Sequence, residues 1–110
     1  MTGYKTIQAD QLAAALQSGG AIIDVRTQAE HNEKCLTLPH IHLPMDELTP
    51  EALQAQGLVG QSPLYILCLG GKRAAAVATR LATQGFGNLH VIEGGILSCE
   101  KCGHDIHRNA

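Results

Sequence analysis

The stretch YILCLGGKRAAAVATRLATQGF, residues 65–86, joins an apolar run, a cysteine, two glycines and a long alanine-rich segment. The short apolar run Leu64–Leu67 lies between Ser-Pro and Gly-Gly pairs, which is typical of a buried parallel strand. Apolar residues recur at the i, i+3, i+4 spacing over residues 74–82, and this pattern predicts a helix that Gly85 ends. The stretch therefore predicts a strand, a tight loop over residues 68–73, and a helix.

Cys68 stands where the predicted strand meets the loop. Gly70 and Gly71 allow the backbone amides to turn inward, as in the nests that bind anions. The start of the helix and the cations Lys72 and Arg73 add positive charge, which stabilises a thiolate. Cys68 is thus predicted to be a nucleophile. The alternative is a buried thiol that packs as a small hydrophobic residue.

The composition limits the classes of function. A chain of 110 residues is long enough for a single domain, residues 1–110, that folds without disulfides. A formal charge of −2 and 3% aromatic residues disfavour partners such as nucleic acid or a membrane surface, so a small partner is expected. The first residues lack a long apolar segment, and no run of about 18 apolar residues occurs, so a cytoplasmic location is expected.

Strands and helices are predicted to alternate along the chain, which favours a parallel sheet with helices on both faces. Predicted strands cover residues 5–7, 21–26, 64–67 and 90–92, and predicted helices cover residues 9–17, 50–57 and 74–84. The run AIIDVR delivers Asp24 and Arg26 at the carboxyl end of its strand, where ligands of open α/β sheets bind. Residues 27–42 are expected to be irregular, with HIHLP as one further candidate strand.

Four segments together resemble the rhodanese family over nearly the whole chain: AIIDVRTQAEH, HIHLPMDEL, YILCLGGKRAA and NLHVIEGGI. The family's loop pattern is Cys-x-x-Gly-x-Arg followed by a small residue, and residues 68–74 match it as CLGGKRA. The resemblance implies an α/β fold with a central parallel sheet of about five strands and helices on both faces.

The resemblance also implies a sulfurtransferase that requires no cofactor. The Cys68 thiolate would take a sulfane sulfur from thiosulfate or a persulfide and pass it to a thiol or cyanide, or to a sulfur-accepting protein. The persulfide would lie in a cradle formed by Leu69, Gly70, Gly71, Lys72 and Arg73. The six-residue loop, residues 68–73, favours sulfur transfer over the oxyanion chemistry of the related phosphatases and arsenate reductases. An alternative is a non-catalytic rhodanese-fold module that carries sulfur or docks to a partner.

Further positions match or depart from the family pattern. Asp24 and Arg26 match its strand-end DVR, and Arg26 is predicted to pair with Glu30 and to support the Cys68 loop. Leu69 stands where many thiosulfate-using members carry a base, so thiosulfate is expected to be a poor donor. Cys99 occupies the position of the family's tryptophan.

The other cysteines and the histidines allow several interpretations. Cys35, Cys99 and Cys102 are candidate redox or relay thiols, although Cys35 is more simply a small buried residue. Residues 99–110 are expected to form an atypical Cys/His-containing tail. Cys-x-x-Cys with nearby histidines raises a less favoured metal site formed by Cys99, Cys102, His104 and His107, so no metal is expected. His31, His40, His42 and His90 are scattered, and they are expected to be ordinary surface or core residues.

Overall fold

The computed structural model describes residues 3–108. Within these residues the strands are β1 Lys5–Ile7, β2 Ala21–Asp24, β3 Lys34–Leu36, β4 Ile41–His42, β5 Leu64–Leu67, β6 Leu89–Ile92 and β7 Ile106–Arg108. The α-helices are α1 Leu12–Gln17, α2 Gln28–Glu33, α3 Pro50–Ala55, α4 Lys72–Thr83 and α5 Gly95–Lys101, and a 3₁₀-helix, Ala9–Gln11, precedes α1. In this described part of the chain, no helix has both the length and the apolar character needed to cross a membrane.

Five strands form a parallel sheet in the order β1-β6-β5-β2-β4, which confirms the predicted fold class. β2 and β5 pair in register, with Asp24 opposite Leu67. From β2 the chain continues to β4 on one side of this pair, and from β5 it continues to β6 on the other side. The sheet therefore has a topological switch point at the carboxyl ends of β2 and β5, where open α/β sheets bind ligands.

Side chains on successive residues of the central strands enter two separate cores, because a strand points alternate residues to opposite faces. Ile23 and Ile66 lie in the core that α3 and α4 cover, whereas Ile22 and Leu67 lie in the core covered by the 3₁₀-helix, α1 and α5. Both faces of the sheet are thus buried under helices, and the continuous apolar runs in β2 and β5 follow from this.

The segment of residues 27–42 is more regular than its polar sequence suggested. Thr27 caps α2: its hydroxyl oxygen accepts from the Glu30 amide at 3.2 Å, while the Glu30 carboxylate accepts from the Thr27 amide at 3.1 Å. This is a capping box, and it satisfies two amides at the start of the helix. The prediction of an irregular segment is wrong for α2 and β3, whereas β4 matches the candidate strand in HIHLP.

Of residues 99–110, expected to form a tail, residues 99–101 end α5, a turn over residues 102–105 leads to β7, and residues 109–110 lie outside the described residues. Cys99 is in α5 and is fully buried beneath the sheet. β7 pairs antiparallel with β3, placing His107 opposite Cys35. The described end of the chain is therefore packed against the domain by two elements that the sequence interpretation did not include.

Candidate active site

The Cys68 side chain lies at the switch point of the sheet, directly after β5. The residue is only 1% exposed and belongs to the core that α4 covers. Two backbone amides point at its sulfur: the Gly71 nitrogen lies 3.0 Å and the Ala74 nitrogen 3.4 Å from Sγ. Amide donors at these distances can donate hydrogen bonds to negative charge that develops at this position during a reaction.

The loop reaches this geometry through Gly71, which forms the N-cap of α4 with φ of +113°. This left-handed backbone favours glycine over any residue with a Cβ. At the start of α4, the Ala75 amide donates to the Gly71 carbonyl at 3.0 Å. The amides of Lys72 and Arg73 precede it in the first turn of α4, so no carbonyl of the helix can accept from them. They add to the positive field in front of Sγ.

α5 holds the other side of the loop. The Ile96 amide donates to the Cys68 carbonyl at 2.9 Å, and the Leu97 amide donates to the Leu69 carbonyl at 3.4 Å. The approach depends on Gly95, which has φ of +59° and where an added Cβ would lie 2.4 Å from both carbonyl oxygens. These contacts direct the carbonyls of residues 68 and 69 toward α5.

Arg73 points to α2 through a two-pronged ion pair with Glu30. The guanidinium nitrogens lie 2.6 and 2.8 Å from the two carboxylate oxygens. The hydrogen bond from Arg73, reinforced by the amide of Thr27, lowers the pKa of Glu30 to about 2. The predicted partner of Glu30 was Arg26, and that pairing is wrong: the sequence could not show that α2 would turn Glu30 toward α4. The charge of Arg73 is therefore balanced by Glu30 within the protein, while Lys72 remains exposed.

Asp24 and Arg26 form a buried ion pair beside the site. The Arg26 Nη2 atom lies 2.8 Å from Asp24 Oδ2, and Nε donates to the same carboxylate. Arg26 also donates to the carbonyls of Lys34 at 2.8 Å and Glu30 at 3.5 Å. The pair thus ties the end of β2 to α2 and β3. Arg26 contacts Glu30 through the backbone carbonyl of Glu30, whereas the Glu30 carboxylate pairs with Arg73.

The remaining cysteines occupy three different environments. Cys35 is half-buried in β3, Cys99 is fully buried, and Cys102 is exposed, and none is in a disulfide. Burial raises the pKa of Cys99 to about 11, which keeps this thiol protonated and unreactive near neutral pH. The Cys102 thiol donates to the Cys99 carbonyl, with Sγ and oxygen 3.4 Å apart.

The metal site considered for the C-terminal segment is not assembled. In residues 3–108, a group of three metal-binding side chains with mutually close ligand atoms occurs only at His31, Cys35 and His40. Cys99 faces the core, and His104 Nε2 contacts the carbonyl of Ala9 at 2.6 Å. Cys99, Cys102, His104 and His107 are therefore close in sequence, but their ligand atoms do not come together at one site.

Two contributors to the site escaped the sequence interpretation. Ala74 supplies an amide, and amides carry no signal in the sequence beyond the position of a helix start. Gly95 allows α5 to approach the Cys68 loop closely. In the sequence, this residue is visible as the second glycine of EGGI, which follows β6.

Comparisons with known proteins identify the family to which this fold is similar. The family model for the rhodanese-like domain matches residues 8–102. The thiosulfate sulfurtransferase GlpE of Pseudomonas fluorescens strain Pf0-1 is 28% identical over 98 residues, which cover 86% of this chain and 84% of that protein. The rhodanese-like domain protein from Staphylococcus aureus superimposes with a TM-score of 0.73 at 26% identity, covering 96% of this chain and 99% of that one. A thiosulfate sulfurtransferase from Pseudomonas aeruginosa has a similar fold, with a TM-score of 0.81 at 17% identity, covering 97% of this chain and 21% of that one.

Proposed function

This chain belongs to the rhodanese-like domain family, and we propose that it is a sulfurtransferase that carries sulfane sulfur as a persulfide on Cys68. The observation that carries the proposal is the pair of amides, from Gly71 and Ala74, that point at Cys68 Sγ. The relatives named thiosulfate sulfurtransferases support the reaction class. The proposed chemistry uses no cofactor.

The first step transfers sulfur to the protein. The Cys68 thiolate attacks the outer sulfur of thiosulfate, forming a new S–S bond to Sγ while the S–S bond of the donor breaks and sulfite leaves with the electron pair. With a persulfide donor, the leaving group is the corresponding thiolate. The negative charge moves to the terminal sulfur of Cys68-S-S⁻, toward the amides of the loop and the first turn of α4, which stabilise it without reorganisation.

The second step returns the protein to its starting state. Cyanide or a thiolate attacks the terminal sulfur, and the S–S bond to Sγ breaks with its electrons returning to Cys68. The products are thiocyanate or a new persulfide, together with the Cys68 thiolate. The amides near Sγ stabilise this leaving thiolate, so the same groups serve both steps.

The surroundings of Sγ favour some donors over others. Cys68 is almost fully buried, so a donor must present a narrow terminal sulfur. Leu69 is 40% exposed and supplies no charge, and Arg73 is already paired with Glu30, which leaves Lys72 as the exposed cation of the loop. A dianion such as thiosulfate therefore gains little attraction on approach, and a persulfide with one negative charge is the better donor.

A second candidate function is a sulfur carrier that loads but turns over slowly. The same burial of Cys68 and the exposed apolar side chains of Leu69 and Leu97 favour it, because a partner protein could cover this apolar edge when it accepts sulfur.

Thiocyanate formation separates the two functions. The full chain and its Cys68→Ser variant are incubated with cyanide and either thiosulfate or glutathione persulfide. A sulfurtransferase forms many equivalents of thiocyanate per chain, and the Cys68→Ser variant forms none above the uncatalysed rate. A single equivalent per chain indicates the carrier, and equal rates for both proteins contradict the role of Cys68.

A further inference from the structure

Three side chains of the kinds that bind transition metals meet between α2, β3 and the segment before β4. His31 lies in α2, Cys35 in β3, and His40 directly before β4. One ligand atom of each lies within 4.8 Å of those of the other two, and all three residues are half-buried. The proposed sulfur transfer uses none of them.

The two imidazoles face each other through their Nε2 atoms, which are 2.8 Å apart. The Nδ1 atom of His40 lies 2.8 Å from the carbonyl oxygen of Leu38, which can only accept. His40 therefore carries its proton on Nδ1 and directs the lone pair of Nε2 toward His31. Zinc-binding histidines are oriented in the same way, with the second ring nitrogen donating to a carbonyl or a carboxylate.

A third histidine fixes the orientation of the His31 ring. His42 stacks on it, with ring centroids 4.1 Å apart and an angle of 14° between the planes. The Nε2 atom of His42 donates to the carbonyl oxygen of the buried Arg26 at 2.8 Å, which anchors the stack to the end of β2. The ligand atoms of His31 and His40 are thus held in place by groups outside the cluster.

We propose that His31, Cys35 and His40 bind one Zn²⁺ ion through two imidazoles and a thiolate, leaving a fourth position open to water or an external ligand. One thiolate and two neutral imidazoles form a donor set that zinc prefers, and three protein ligands are typical of zinc sites with an open position. In the metal-free protein, the two imidazoles share a hydrogen bond. Zinc takes the place of the proton between the two Nε2 atoms. That proton moves through solvent to Nδ1 of His31, so both imidazoles stay neutral, and the nitrogens move apart to about 3.3 Å, as two bonds of about 2.0 Å at a tetrahedral angle require. The Cys35 proton is released to solvent on binding.

The cluster differs from the metal site that the sequence suggested. Its ligand spacing, His-x₃-Cys-x₄-His, is not a Cys-x-x-Cys pattern, and its three members come from a helix, a strand and a loop. Only the fold brings them together. Cys102, by contrast, is exposed and lies outside the cluster, so it provides a matched control cysteine.

The test is titration of the full reduced chain with Zn²⁺ by calorimetry and with Co²⁺ by absorption, where a thiolate ligand gives a charge-transfer band. We expect one metal per chain. Cys35→Ser and His40→Ala should each weaken binding at least tenfold, and Cys35→Ser should abolish the cobalt band, whereas Cys102→Ser and Cys68→Ser should leave both unchanged.

Several results would overturn the proposal: no binding in a 1:1 ratio, binding and a cobalt band that survive Cys35→Ser, or a band that disappears with Cys68→Ser or Cys102→Ser. Circular dichroism monitors the fold of each variant. If His40→Ala does not fold, Cys35→Ser alone decides the outcome, because it exchanges one half-buried sulfur for oxygen.

Discussion

Glu30 in α2 and Arg73 in the first turn of α4 form an ion pair with two contacts, 2.6 and 2.8 Å long, between residues 43 positions apart in sequence. Arg73 was expected to belong to the cradle of the persulfide. In the structure, Glu30 balances the charge of Arg73 from within the chain. The pair couples the position of α2 to the start of α4, whose amides face Cys68 Sγ.

Replacing Glu30 with glutamine should loosen the Cys68 loop. Glutamine preserves the capping box of α2, since it can still accept from Thr27, but it removes the charge that holds Arg73. We expect a loss of about 1 kcal/mol in the free energy of unfolding, because the pair is partly exposed. Sulfur loading of Cys68 should slow severalfold. Urea denaturation and loading kinetics measure both effects.

The matched control is Glu51→Gln, which changes an exposed acid in the first turn of α3. If the two variants load sulfur equally fast and unfold at the same urea concentration, the ion pair does not support the loop.

Gly95→Ala should disrupt the clamp between α5 and the loop. A Cβ at Gly95 would lie 2.4 Å from the carbonyl oxygens of Cys68 and Leu69, and φ is +59°. Left-handed strain and overpacking together should cost about 2–4 kcal/mol. Gly103→Ala is the control, because Gly103 also has positive φ but nothing lies within 4 Å of its added Cβ. Equal destabilisation of the two variants, measured by thermal unfolding, would show that the contact with the loop is unimportant.

Asp24→Asn should destabilise the protein strongly. The change leaves the Arg26 guanidinium buried without its counter-charge, which typically costs about 3–5 kcal/mol. Asp46→Asn, at an exposed aspartate, should change the free energy of unfolding by less than about 0.5 kcal/mol. A small effect of Asp24→Asn in chemical denaturation would mean that the pair is solvated or replaceable.

The pKa of Cys99 predicts both its reactivity and an alkaline loss of stability. The thiol is protonated in the folded protein up to pH of about 11, whereas in the unfolded chain it ionises near 9. The folded state thus binds more protons between these values, so the free energy of unfolding should fall as pH rises from 9 toward 11. Cys99→Ala should flatten this decline.

Near neutral pH, iodoacetamide should modify Cys102 and spare Cys99, and equal labelling of the two in the folded protein would contradict the burial of Cys99.

The strands were predictable where the sequence carries continuous apolar runs between turn residues, as in β2 and β5. The loop after β5 was predictable because Gly70, Gly71 and the alanine-rich helix leave few other conformations. α2 was missed although Thr27 and Glu30 form a readable capping box, because its six residues carry no apolar stripe.

Long-range pairings were beyond the sequence. Glu30 was predicted to pair with Arg26 but pairs with Arg73. Which arginine it meets depends on how α2 is rotated relative to α4, and apolar periodicity does not determine this rotation for a short polar helix. His31 and His40 were expected to be ordinary surface or core residues, and Cys35 a small buried residue or a relay thiol. Their proximity arises from the path of α2, β3 and the loop that follows. Polar contacts between elements that are distant in sequence could therefore be identified only from the three-dimensional structure.

The most direct test of the central claim is the intact mass of the full chain and of Cys68→Ser, before and after treatment with glutathione persulfide or thiosulfate, and again after cyanide. The account predicts that the wild-type chain gains one sulfur atom, that cyanide removes it, and that Cys68→Ser gains none. A wild-type chain that takes no sulfur from either donor, or a Cys68→Ser variant that takes as much as wild type, would contradict the assignment of Cys68 as the sulfur carrier.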